Sequence, residues 1–217
     1  MEEQTTPRAE GTAPAPEKKP LNRFFIVVYR LVNAVAAVLH PVTVIGRENL
    51  PEHGALLCPN HNSNWDPVLV ALKVPINYRL HIMAKEELFC NRLFDWALRK
   101  LGAFPVNRGE GDIEAVKNAM KAIKSGDNLL VFPEGTRVAH EGDLPAKGGV
   151  AVIGVRTGAL FVPVFVEGNK RPFRRIRIVF GQAYRPAVTS RRPSAEEIQA
   201  IADEVLRRAY DLGRDLA

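Results

Sequence analysis

From residue 42 onward the chain repeats one pattern: a short apolar stretch of strand type, a polar loop, then a longer segment with helical periodicity. Such alternation leaves few architectures open, because each strand and each helix must bury an apolar face against the other kind. Strand candidates are 42–46, 55–59, 80–84, 103–106, 128–132, 161–166 and 174–180; helix candidates are 67–73, 86–100, 112–125, 149–157 and 195–213. In 112–125, Asp112 suits the N-cap, Ile113, Val116, Met120 and Ile123 share a face, and Gly126 is a stop. The last helix opens with a capping box, Ser194 and Glu197, followed by Ile198, Ile201, Val205 and Leu212 at helical spacing. In 174–180, Ile176, Ile178 and Phe180 alternate with Arg175, Arg177 and Val179. No internal repeat is visible. The pattern predicts a single α/β domain over 41–217, with a mostly parallel or mixed central sheet flanked by helices.

The first forty residues differ. Residues 1–20 carry Pro7, Pro14, Pro16 and Pro20 among Glu, Thr, Ala and Lys, the composition of a disordered tail. Residues 21–40 are apolar and lack helix breakers, yet the core from Phe24 to Leu39 is roughly 24 Å long as a helix, short of the ~30 Å hydrocarbon layer, and it contains Arg30. Lys19, Arg23, Arg30 and Asn33 fall on one side of a helical wheel. That suits an amphipathic helix lying in a membrane interface, with a helix docked on the domain as the alternative. No basic n-region precedes an apolar run, so no secretion signal is read. Cys58 and Cys90 form neither a CxxC pair nor a cluster with His, which speaks against a zinc site or a disulfide scaffold and favours a reducing compartment. The net charge of +6 favours anionic partners. The expected location is the cytoplasmic face of the cell membrane, peripheral or monotopic.

Three polar loops each follow an apolar strand candidate. In Cys58-Pro59-Asn60-His61-Asn62-Ser63-Asn64-Trp65-Asp66-Pro67, a histidine stands beyond a strand's carboxyl end, where ligands bind in open α/β sheets. The intervening residues can fold the Asp66 carboxylate back onto the imidazole, which would then take a proton from a hydroxyl. The competing reading makes Asp66 an N-cap before Pro67 and His61 an ordinary loop residue. Val131-Phe132-Pro133-Glu134-Gly135-Thr136-Arg137 offers a guanidinium suited to phosphate, a glycine that permits close approach and a hydroxyl, or simply a charged turn. Gly102 to Gly109 likewise sets Arg108 beside a glycine. In a mostly parallel sheet the three loops converge.

Together these segments resemble the HxxxxD glycerolipid acyltransferases. His61 to Asp66 is similar to the motif that names the family, Gly102–Gly109 to its second block, Phe132–Arg137 to its third and Val162-Pro163-Val164 to its fourth, in the family's order over roughly residues 40–185. Lys85, in Ala84-Lys85-Glu86-Glu87-Leu88, also matches. The resemblance implies an O-acyltransferase domain that moves a fatty acyl group from acyl-coenzyme A or acyl carrier protein to the free hydroxyl of lysophosphatidic acid, in phospholipid biosynthesis. It implies His61 as general base, Asp66 as its orienting carboxylate, and an acceptor site shaped by Arg108, Glu134, Gly135, Thr136 and Arg137, assisted by Lys85. It implies neither metal nor cofactor. The chain departs from the pattern at Val138, where many relatives carry Ser, and at Pro145-Ala146-Lys147-Gly148-Gly149, where many read Pro-Phe-Lys-Lys-Gly.

Residues 86–101 are apolar on more than one helical face, which fits a buried helix, an acyl groove or a bilayer contact. Residues 168–193 hold Lys170, Arg171, Arg174, Arg175, Arg177, Arg185, Arg191 and Arg192 with no acid: a solvated basic face, or attraction to anionic lipid or coenzyme A phosphates. Alternatives are another acceptor (glycerol 3-phosphate, a lysophospholipid or a lyso-ornithine lipid), a hydrolase of thioesters, and a non-catalytic binder of anionic lipid. No nucleic-acid motif is visible.

Overall fold

The structure is a computed structural model that describes residues 23–107, 112–168, 170–190 and 192–216. The 1–20 tail, Arg108, Gly109 and Arg191 lie outside the described residues. The elements run α1 (Arg23–Leu39), β1 (Val42–Ile45), β2 (Ala55–Pro59), α2 (Asp66–Lys73), β3 (Leu80–Lys85), α3 (Arg92–Lys100), β4 (Ala103–Val106), α4 (Ile113–Lys124), β5 (Asn128–Leu130), α5 (Gly149–Thr157), β6 (Leu160–Val166), β7 (Ile176–Phe180) and α6 (Ala195–Arg214).

The sheet has seven strands in the order β1-β7-β6-β2-β5-β3-β4. β6, β2, β5, β3 and β4 run parallel. β7 runs antiparallel to β6, and β1 runs parallel to β7. The expectation of a mixed, mostly parallel sheet therefore holds. The reversal of β1 and β7 has a positional effect: the starts of these strands lie at the same end as the finishes of the other five. Leu39 and Phe173 meet there, Phe173 N–H donating to the Leu39 carbonyl at 2.7 Å.

β2 is buried along its whole length, as a strand covered on both faces must be. Leu56 and Leu57 point opposite ways. Leu56 joins a cluster with Ile123, Ile153, Phe161 and Val205, beneath α4, α5 and α6; Leu57 joins Leu69, Val70, Val162 and Ile178, beneath α1 and α2. At the base of the sheet the fully buried Asn128 ties β5 to β2 and to the turn before β3: its Oδ1 accepts from Ala55 N–H at 3.0 Å, and its Nδ2 donates to the Tyr78 carbonyl at 2.7 Å.

Three local expectations need correction. The 86–100 segment is a 3-10 turn, Glu86–Phe89, followed by a short α3, with Asn91 Oδ1 accepting from Leu93 N–H at 2.9 Å as the break. It is not buried: Leu88, Leu93 and Trp96 are exposed. At α6, Ser194 Oγ does accept from Glu197 N–H at 3.2 Å, but the Glu197 carboxylate turns to Thr189 N–H and Oγ1 instead of closing the capping box. The N-cap alternative for Asp66 is absent. α2 starts at Asp66 with Trp65 ahead of it and no side-chain cap bond, and the carboxylate folds back onto the preceding loop.

Candidate active site

The site sits at the carboxyl ends of β2 and β5 and is built first from backbone. Asn60 extends the β2–β6 ladder with its side chain, Oδ1 accepting from Val166 N–H at 2.7 Å and Nδ2 donating to the Val166 carbonyl at 3.1 Å. This fixes the next residue, His61, at the mouth of the sheet. His61 N–H donates to Glu134 Oε2 at 2.6 Å, and its carbonyl accepts from Val138 N–H at 2.9 Å. The loops after β2 and β5 are thus clamped together at one residue.

The His61 ring is held as firmly as its backbone. Nδ1 lies 2.9 Å from Asp66 Oδ2, and the ring stacks on Phe132 with centroids 4.0 Å apart. The same Asp66 oxygen accepts from Asn62 N–H at 2.7 Å and Ser63 N–H at 2.8 Å. Asp66 is fully buried. Burial pushes its carboxyl upward, but the bonds from His61, Lys170 and Ser63 and the charge of Lys170 outweigh it and hold the group below its ordinary value. With Nδ1 committed to a carboxylate, Nε2 is the ring's proton acceptor.

Glu134 differs from its expectation. Only 1% exposed, it is not offered to an acceptor: Oε2 takes the His61 N–H and Oε1 takes the Tyr210 hydroxyl of α6 at 2.6 Å. It braces the His61 loop against α6. Burial drives its carboxyl up to about 7; the bonds from Tyr210 and His61 oppose the rise, and the charges of Asp66 and Asp143 add to it.

The other residues singled out by sequence form a rim. Gly135 has φ of +68°, and its N–H donates to the Phe132 carbonyl at 3.0 Å. A Cβ there would come within 3.0 Å of Lys147 Cγ, so the glycine serves both the left-handed turn and the lysine stem laid across it. Thr136 and Arg137 are exposed, and Arg137 has no carboxylate partner among the described residues. Lys85 ends β3 and pairs with Glu87 at 2.6 Å, both exposed, rather than joining the His61 network.

Sequence reasoning missed Lys170 as a site residue. Its ammonium reaches Asp66 Oδ1 at 2.7 Å and also donates to Asn62 Oδ1. Nothing local marks it off from neighbouring arginines; only the return of the chain after β6 brings it inward. Tyr210 carries no signal beyond its place on an amphipathic helix.

A family model described as Acyltransferase matches residues 41–167. A Bacillus subtilis protein named 1-acyl-sn-glycerol-3-phosphate acyltransferase is 30% identical over 180 residues, covering 81% of this chain and 89% of that protein. A protein of the same name from Streptococcus pneumoniae is 37% identical over 121 residues, 55% of this chain and 44% of that protein. Among solved structures, the crystal structure of the 1-acyl-sn-glycerophosphate (LPA) acyltransferase, PlsC, from Thermotoga maritima matches with a TM-score of 0.66 and 26% identity, covering 87% of this chain and 81% of that one.

Proposed function

The chain belongs to the Acyltransferase family and is an O-acyltransferase, and from that premise we propose that it acylates lysophosphatidic acid at a membrane surface, drawing the acyl group from a thioester of coenzyme A or acyl carrier protein. The observation that carries this reading is the His61–Asp66 pair, 2.9 Å apart at the mouth of the sheet with Nε2 uncommitted.

On this reading His61 carries each proton step. Nε2 takes the proton of the acceptor hydroxyl as its oxygen attacks the thioester carbonyl. Asp66 stabilises the resulting imidazolium through Nδ1–H, as a carboxylate does behind any histidine base. The carbon–sulfur bond breaks, the thiolate leaves, and the imidazolium returns the proton to sulfur. An ester and a free thiol result. Arg137, exposed beside the clamp that holds His61, has its planar fork of donors free for the acceptor phosphate. Glu134 and Gly135 shape that rim from behind.

Membrane contact is supported by α1. One face packs on α2, with Tyr29 donating to the Leu72 carbonyl at 2.9 Å, while Val27, Leu31, Val35 and Val38 form an exposed apolar stripe. Among the described residues no helix is long and apolar enough to cross a membrane. Peripheral attachment through this stripe fits both facts, and the face we assign it to is the cytoplasmic one.

Thiol release from acyl-coenzyme A, with and without lysophosphatidic acid in vesicles, tests the function. Release should require the acceptor and match the phosphatidic acid formed. His61→Ala, still folded, should turn over about 10²–10⁴-fold more slowly. Release that ignores the acceptor would mark a thioesterase, and no release from either donor would overturn the reading.

A further inference from the structure

Lysine is among the side chains least often buried, because stripping water from an ammonium is costly unless a partner replaces it. Lys170 is nonetheless buried, its side chain 3% exposed against a fully buried Asp66. The two charges stand 2.7 Å apart. Asp66 Oδ2 already serves His61 Nδ1 and two backbone N–H groups, and Lys170 is the cation that faces Oδ1. The ammonium is anchored a second time by Asn62 Oδ1, in the loop that carries His61.

We propose that Lys170 is a positioning residue for acyl transfer: it pins the Asp66 carboxylate from behind and balances its charge, so that His61 meets the acceptor as a neutral imidazole. The proposal rests on the acyl-transfer reading of His61 and Asp66. Its physical basis is charge balance in a dry site. A lone buried carboxylate attracts the nearest available proton, and the nearest carrier is the His61 ring. An imidazolium cannot take a proton from a hydroxyl. With Lys170 in place the carboxylate and ammonium sum to zero, and Asp66 keeps its orienting bond to Nδ1. Burial lowers the tendency of the lysine to stay protonated and the Asp66 charge restores part of it, so each ion of the pair secures the other.

The charged groups around the ring come from every neighbouring element. Asp66 stands at the start of α2. Lys170 and Glu167 come from the segment after β6, Glu167 being itself paired with Arg177 at 3.1 Å. Glu134, from the loop after β5, faces the His61 backbone and Tyr210. Phe132, which covers the ring face, is uncharged. Lys170 is the one cation among the described residues that touches the dyad.

The test is the pH dependence of kcat and kcat/KM in Lys170→Met and Lys170→Arg. Methionine keeps the stem and removes the charge. Its kcat should fall with KM for lysophosphatidic acid unchanged, and the acidic limb of its profile should move to higher pH. Arginine keeps the charge and should leave the limb in place. A folded methionine variant whose limb coincides with that of the wild type would overturn the proposal, whatever its rate. Should Lys170→Met not fold, the Asp66→Asn/Lys170→Met double variant decides: recovery of the fold shows that the lysine answers the Asp66 charge, and equal failure shows a separate structural role and overturns the proposal. Failure of the acyl-transfer reading looks different, because the wild type itself would then show no acceptor-dependent thiol release.

Discussion

His61 is restrained at ring and backbone alike: carboxylate at Nδ1, phenyl ring on one face, both backbone polar groups bonded. For the general-base role proposed above, such restraint would leave little reorganisation at the moment of proton transfer. Glu134 maintains it at a cost in stability, and the sign of that cost is testable. Its carboxyl rises from 4.5 to about 7 on folding. Between those values the folded chain binds more proton than the unfolded one, so stability falls as pH rises through the window and the penalty is complete above it. A shift of that size corresponds to about 3 kcal/mol. Glu134→Gln can still accept the His61 N–H, and the Tyr210 hydroxyl can rotate to accept from the amide. The unfolding free energy of the glutamine variant relative to wild type should therefore improve from pH 5 to about pH 7 in denaturant titrations and level off above that. A difference that stays flat with pH would show a carboxyl titrating at its ordinary value. Sequence alone marked Glu134 as special but assigned it outward, toward a ligand. The direction of a side chain in a turn depends on what packs behind it, here Tyr210 from a helix far along the chain.

At the scale of elements, the strands were legible almost residue by residue, because each is a short apolar run bounded by turn residues. The 112–125 helix was legible through its cap: Asp112 Oδ1 accepts from Ala115 N–H at 2.9 Å, and Gly126 takes a φ of +81° at the end. The exposure of Leu88, Leu93 and Trp96 was not legible, since a helix that is apolar on several faces looks the same whether protein or lipid covers it. Close packing was equally hidden. Gly154, inside α5, lies directly against β6: a Cβ there would meet the Phe161 ring at 2.1 Å and Leu56 Cδ1 at 3.1 Å. Alanine normally improves a helix over glycine by about 1 kcal/mol. Overpacking a filled core costs about 1–3 kcal/mol, and more when the ring has nowhere to go. Phe161 is fully buried, so the clash wins. Gly154→Ala should lower the thermal midpoint, whereas alanine at an exposed helical glycine would raise it. A midpoint at or above that of the wild type would mean that α5 can slide away from the sheet.

Across the whole molecule, the reversed strands decide what gathers at the His61 end of the sheet. Because β1 and β7 start where the other strands finish, the end of α1, the exposed Phe173 and the exposed Arg171, Arg174 and Arg175 gather at the end of the sheet that holds His61. Phe173 has a φ of +65°, unusual for a bulky residue, and presents its ring to solvent among the arginines. An acceptor drawn from the bilayer would meet the catalytic edge first. Burying a valine or leucine contributes roughly 1.5–3 kcal/mol. Replacing Val27, Leu31 and Val38 with serine should therefore reduce flotation with anionic vesicles at least about tenfold, even with partial insertion. Turnover of a water-soluble short-chain acceptor should remain, since none of the three packs in the core. Unaltered flotation would shift attachment to Trp96 and its neighbours.

The sheet order has one more consequence, which concerns time rather than place. β2 is central, yet both its partners come much later in the chain: Leu56 pairs with Leu129 on β5 and with Phe161 on β6. Val42 on β1 waits longer still, for Ile176 on β7. A nascent chain must therefore carry a wholly apolar strand with two open edges until β5 is made, and with one until β6 follows. Distant pairings of this kind slow folding, and open apolar edges invite association with other chains. Refolding from denaturant is thus expected to be slow and to lose yield as protein concentration rises, and in the cell β2 is the segment most in need of a chaperone's shelter.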